Sequence, residues 1–232
     1  MNKSSVIFGA TGLVGREIVY ELLQKDEVDN ICAVVRKKMS IANPRLKQIV
    51  INDFTSLDTI KAQLSADTYF CCIGSTIAKA GNKAGFRRVD FDIPVIIAGL
   101  ASSLHIPNLV IISSISANAG SGNFYLRTKG EMEQEVQKRF KGNLKIVRPS
   151  MILGHRPEFR LGEIIGKGLI TVLSIFLIGP LGKYKGINYT EIARGMINSV
   201  DLPKETIIVE SDKLHKLATQ NGKLIKFKSG MI

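Results

Sequence analysis

Short apolar runs rich in β-branched residues alternate, through the first two thirds of the chain, with longer stretches whose apolar positions return at helical spacing. Runs nearly continuous in Val, Ile, Leu and Phe predict strands at Ser5 to Phe8, Ile31 to Val35, Gln48 to Ile51, Thr68 to Cys72, Leu109 to Ser113 and Leu144 to Val147. A strand covered on both faces has no polar side to show, which is why these runs do not alternate. Helices are predicted at Leu13 to Gln24, Leu57 to Leu64, Asp90 to Leu104 and Tyr125 to Phe140. Strand and helix in alternation make repeated βαβ units, so the expected fold is α/β, a doubly wound parallel sheet with helices on both faces.

After Arg148-Pro149 the pattern loosens into Gly- and Pro-punctuated segments, followed by a helix from about Glu191 to Val200, a strand Thr206 to Val209 and a short helix from Asp212. The chain shows neither a fixed-period repeat nor a low-complexity tract. With 232 residues it is expected to form one Rossmann-like domain over 1–232, with 150–232 contributing a small C-terminal cap on the substrate side.

Composition narrows the function classes. A hydrophobic content of 45% and a charged content of 22% exclude disorder, collagen and coiled coil. Three cysteines, two of them adjacent, make no disulfide framework, and Cys71 and Cys72 point to opposite faces of a strand, where they pack. His105, His155 and His215 share no metal-ligand spacing, so no metal site is expected. The opening residues contain no apolar signal segment, and a cytoplasmic protein is the expectation.

A formal net charge of +12 favours anionic partners. Nucleic acid is not expected, because the basic residues are dispersed and the chain lacks an aromatic-rich platform. Leu169 to Leu181, flanked by Lys167 and Lys183, is too short to span a bilayer. It either makes a peripheral membrane contact, covers a hydrophobic pocket, or meets a second subunit; a homodimer is left open.

The first predicted strand runs into Gly9-Ala10-Thr11-Gly12-Leu13-Val14-Gly15, and a helix opens inside that run. Glycines there permit a tight turn and a close approach of backbone to a diphosphate, while helix amides and dipole favour its charge. A dinucleotide site is therefore expected, with Gly9, Thr11, Gly12, Leu13, Val14 and Gly15 at its centre. At the end of the second strand, where an NAD site would carry an acid, stand Arg36 and Lys37. A guanidinium there suits a 2′-phosphate, so NADP(H) is the expected cofactor, with NAD as the alternative; a solvated strand-end cluster is the plainer reading. Asp53 and Phe54 after the third strand are placed near the adenine, and Gly74 and Pro149 complete the expected cofactor-binding set.

Tyr125 and Lys129 stand four apart on one predicted helix, so phenol and ammonium converge. A neighbouring positive charge favours phenolate, which would let Tyr125 donate a proton to a forming alkoxide while Lys129 tunes it and holds the nicotinamide ribose. Ser114, with Ser113 beside it, ends the fifth strand at the carboxyl edge, placed to hydrogen-bond a substrate carbonyl. The loop from Gly74 to Gly85, with Lys79 and Lys83, either overhangs the nicotinamide or is merely solvated, and His155 and Arg156 are candidate pocket residues.

The glycine turn, Ser114, Tyr125 and Lys129, together with the run from Lys79 to Asp90, Arg148-Pro149-Ser150 and Leu161-Gly162-Glu163, resembles the atypical short-chain dehydrogenase/reductases, in particular the Tat-interacting-protein-like oxidoreductase group. The resemblance extends to the Glu210 to His215 region and implies a Rossmann-type fold, NADP(H) binding and reduction of a carbonyl or related small molecule. Cys71-Cys72-Ile73-Gly74 replaces the Asn-Asn-Ala-Gly of typical members, so the asparagine of their proton relay has no evident counterpart. Some members act without demonstrated turnover, which makes a non-catalytic NADP(H)-sensing regulatory or scaffold protein the alternative function.

Overall fold

The computed structural model describes residues 3–153 and 184–219. Within them, seven parallel strands form one sheet in the order β3-β2-β1-β4-β5-β6-β9. The strands are β1 (Lys3–Phe8), β2 (Val28–Val35), β3 (Leu46–Val50), β4 (Thr68–Cys71), β5 (Asn108–Ile112), β6 (Asn143–Arg148) and β9 (Ile207–Glu210). All six strands predicted in the first two thirds are present, each within three residues of its expected ends.

Side-chain alternation divides the core between the two faces. Val6 and Phe8 of β1 face one apolar cluster and Ile7 faces the other, and Leu109 and Ile111 of β5 are separated from Val110 and Ile112 in the same way. One cluster packs α4 (Ile93–Ser103) and α5 (Phe124–Arg139) on the sheet through residues such as Ile97, Ala98, Met132 and Val136. The other packs α1 (Leu13–Leu23), α6 (Tyr189–Ser199) and α7 (Ser211–Thr219) through Ile18, Ile192, Met196 and Leu214. Burying each such side chain contributes about 1.5–3 kcal/mol, which fixes the register of every strand.

Two predicted helices differ from expectation. Leu57 to Leu64 falls in a 3-10 segment, Phe54–Gln63, kinked at Ser56. Its apolar positions are too few to bury a full helical face: Phe54 and Leu57 are buried, and Ile60 packs partly buried against the same core. The helix expected from Asp90 instead starts upstream: α3 (Lys83–Arg87) passes through a π turn, Arg88–Asp92, directly into α4. A short helix α2 (Ile77–Ala80) precedes it.

Of the segment expected to act as a cap, residues 154–183 lie outside the described residues, as do His155, Arg156, the Leu161-Gly162-Glu163 motif and the apolar stretch Leu169 to Leu181. The described remainder adds β9 to the sheet and packs α6 against α1. A two-stranded ribbon, β7 (Ile152–Leu153) with β8 (Ile187–Asn188), joins the flanks of 154–183. Among the described residues no helix is long and apolar enough to cross a membrane.

Candidate active site at the carboxyl edge of the sheet

β1 hands the chain to α1 through the glycine turn. Gly9 has φ +83°, a left-handed conformation open to glycine, and a Cβ there would lie 2.9 Å from the carbonyl carbon and oxygen of Cys72. The Gly12 amide donates to the Gly9 carbonyl at 3.0 Å. Gly15 lies so close beneath the turn that an added methyl would stand 2.8 Å from the Gly9 carbonyl carbon and 3.1 Å from Ala10 Cα.

The start of α1 differs from those of α5 and α6. Asn123 caps α5 and Asn188 caps α6 with their side chains, but Gly12 offers α1 none, and its first turn carries no acid. Among the described residues no capping side chain accepts from the first-turn amides at the positive end of this 11-residue helix. That chemistry fits a diphosphate. Thr11 and Gly12 are exposed and Leu13 is half-buried, whereas the Val14 side chain enters the core. Gly15→Ala is expected to destabilise the domain by about 1–3 kcal/mol through overpacking and to weaken nucleotide binding at least about tenfold by displacing the turn. Thermal melting with and without NADPH checks both effects.

Arg36 and Lys37 are exposed just past β2. Since Phe8 pairs with Val34, they lie beside the glycine turn at the same edge of the sheet. Asp53 accepts the Thr55 amide at 3.0 Å and forms an ion pair with Arg88. These contacts, the Thr55 amide foremost, hold its carboxyl below the usual range, and they tie the 3-10 segment to the π turn. The Phe54 side chain is buried in the core.

Tyr125 and Lys129 lie one turn apart on α5, as predicted. Asn123 accepts the Tyr125 and Leu126 amides at 2.9 and 3.2 Å and so fixes the start of the helix. Gly130 sets its depth: a Cβ would lie 2.7 Å from Asn118 Cα. Phe86 of α3, fully buried, packs its ring 5.4 Å from that of Tyr125 and 6.0 Å from that of Phe124. Arg87 pairs with Glu131, and Lys83 lies over the Phe124 ring at 5.4 Å, so the loop after β4 is fastened across α5.

The two serines after β5 have different tasks. Ser113 is buried and its hydroxyl donates to Glu133 at 2.5 Å, while half-buried Ser114 makes only a long contact, 3.3 Å, to the Ile115 carbonyl. Of the two hydroxyls, that of Ser114 is the less engaged by the protein among the described residues. Arg148 braces Glu133 from β6 with two hydrogen bonds, 2.9 and 2.5 Å, and Pro149 accepts the Ile115 amide at 3.0 Å.

Sequence spacing alone assigns Asp90 no chemical role. It lies in the π turn, 1% exposed, with Oδ1 2.7 Å from the ammonium of Lys129, itself 3% exposed. The Ser75 amide donates to its Oδ2 at 2.8 Å. The place of Asp90 on the otherwise apolar stripe of Phe86, Ile93 and Ile97 was the available signal. Burial pulls the Lys129 pKa down, but the Asp90 carboxylate above all, then Tyr125 and Cys71, raise it more, and the net direction is upward. Burial pushes the Cys71 thiol up to about 12 and also raises Cys72, which disfavours the thiolate at both. Among the described residues no cluster of His, Cys, Asp and Glu could hold a metal.

The strand order, the uncapped glycine turn and the Tyr-Lys pair on the helix after β5 define a Rossmann-type dinucleotide-binding protein. The family described as NAD(P)H-binding matches residues 9–162. The chain is 31% identical to Protein FMP52, mitochondrial, of Candida albicans over 93% of this chain and 98% of that protein. It is 34% identical to Protein HTATIP2 of Rattus norvegicus over 72% of this chain and 69% of that protein. The chain belongs to the NAD(P)H-binding family, in its FMP52 and HTATIP2 group of atypical short-chain dehydrogenase/reductase-like proteins.

Solved structures repeat the fold. MoeE5 in complex with UDP-glucose and NAD superposes with a TM-score of 0.67 at 14% identity, covering 93% of this chain and 80% of that one. WbmH of Bordetella bronchiseptica in complex with NAD+ gives 0.67 at 13% identity, covering 90% and 76%. At such identities the likeness concerns the fold.

Proposed function

We propose that this protein is an NADP(H)-dependent oxidoreductase that reduces a carbonyl or related small molecule, with Tyr125 as proton donor. The observation that carries the reading is the buried, charge-compensated Lys129 one helical turn from Tyr125, at the same sheet edge as the uncapped start of α1. NADPH, when bound, supplies the hydride. Ser114 orients the carbonyl, Tyr125 delivers the proton to the oxygen, and Lys129 keeps a positive charge beside the phenol. Phe86 restrains the tyrosine ring, limiting the orientations it must search before reaction.

Cofactor choice is assigned to Arg36, whose fork suits phosphate oxygens. Arg36→Asp is expected to lower the NADPH-over-NADH affinity ratio by about tenfold to a hundredfold, the worth of one charge-assisted contact. Fluorescence titration of both nucleotides measures it. The reading as a whole is tested by following NADPH oxidation at 340 nm against a panel of aldehydes, ketones and quinones; a protein that binds NADPH yet oxidises it against none of them is not a reductase of this class.

A further inference from the structure

The Asp90–Lys129 pair joins three elements that meet beside Tyr125. Lys129 comes from α5, Asp90 from the π turn, and the amide bonded to Asp90 Oδ2 belongs to Ser75, in the loop that leaves β4. Gly74 lies directly against the pair: a Cβ there would stand 3.4 Å from Asp90 Oδ1 and 3.8 Å from Lys129 Nζ, in ordinary contact with both. Asp90 shares the buried stripe of Phe86, Ile93 and Ile97 at helical spacing, so the packing that seats α3 and α4 also turns its carboxylate into the protein.

Three groups act on Lys129: Asp90 from the π turn, Tyr125 from its own helix and Cys71 from β4. Cys71 is held as a neutral thiol by burial. Asp90 is the one carboxylate among the described residues that faces the ammonium. A lysine buried without a counter-charge sheds its proton, and a neutral amine cannot serve as a fixed positive charge.

We propose that Asp90 is the positioning residue of this site: its carboxylate holds the Lys129 ammonium as a fixed charge against the Gly74-Ser75 turn, beside Tyr125, before nucleotide arrives. Asp90 thereby supplies the polar support that Cys71-Cys72-Ile73-Gly74 lacks. The proposal rests on the reductase reading only for what the charge is used for. The pairing itself is testable without cofactor.

The experiment compares melting temperatures of wild type, Asp90→Asn, Lys129→Met and the double variant Asp90→Asn/Lys129→Met from pH 5 to 10, with NADPH titrations at the same pH values. In wild type the raised lysine keeps its proton throughout, so the stability it contributes is lost only above the unfolded lysine range. In Asp90→Asn the unpaired buried lysine has a lowered pKa and stability is regained as pH rises. Its deficit, about 10 °C at pH 7, should shrink toward pH 10. Lys129→Met strands a buried carboxylate, so its deficit should shrink instead as pH falls. The double variant should show a deficit that does not move with pH. NADPH affinity of Asp90→Asn should fall severalfold as pH rises through the new lysine titration, while that of wild type stays level.

A deficit constant with pH in both single variants overturns the proposal, whatever its size. Should Asp90→Asn fail to fold, Lys129→Met and the double variant carry the same contrast. A wild type that binds no NADPH overturns the reductase reading and leaves the melting comparison intact.

Discussion

Tyr125→Phe is expected to lower NADPH-coupled carbonyl turnover by about two to four orders of magnitude, the usual worth of a positioned proton donor. Binding of NADPH should change little, because the lost hydroxyl acts on the forming alkoxide and not on the nucleotide. Phenylalanine keeps the ring that packs on Phe86, so α3 and α5 stay together and the melting temperature should hold. Single-turnover absorbance at 340 nm with excess enzyme separates the chemical step from binding. Unchanged turnover in this variant removes Tyr125 from the mechanism. A nucleotide-sensing scaffold would instead show no turnover in either protein and a partner affinity that tracks the NADPH/NADP ratio.

The second large effect concerns stability. Glu133 is 2% exposed and accepts from the Ser113 hydroxyl and twice from Arg148, which also reaches Glu210 at 3.2 Å. Glu133→Ala removes the acceptor of a mostly buried guanidinium and of a buried hydroxyl together. The expected loss is about 3–5 kcal/mol, which in a domain of this size lowers the melting temperature by about 10 °C or more. Calorimetry checks it. Glu133→Gln, which keeps one acceptor oxygen, should lose less. Because the network ties the ends of β5, β6 and β9 to α5, Ser114 should also become less well placed, and any activity should fall along with stability.

How much was readable in advance follows from where each signal resides. Buried parallel strands leave unbroken apolar runs, and Gly9, Gly12 and Gly15 mark a turn whose spacing is local, so both were legible from residues alone. Tyr125 and Lys129 were legible because helical spacing brings them together. Asp90 was not, since its partner comes from a different helix and spacing along one helix does not show which residues of two helices meet. The division between Ser113 and Ser114 was equally hidden: adjacent residues at a strand end face different ways, and Glu133, which decides the matter, lies on α5. Lys145 makes the same point within a strand. A lysine in an apolar run looks like an error until its Nζ is seen donating to the carbonyls of Pro203 and Glu205, both at 2.7 Å.

The short ribbon of β7 and β8 does more than decorate the edge of the domain. Ile152 pairs with Ile187 and Leu153 with Asn188, the Ile187 amide donates to the Met151 carbonyl at 3.0 Å, and the Ser150 hydroxyl bonds the Lys185 carbonyl. Residues 150–153 and 185–188 are thus clasped side by side, and β9 takes its place beside β6. The clasp fastens the chain that leaves β6 to the chain that enters α6, so a displacement of one would be transmitted to the other.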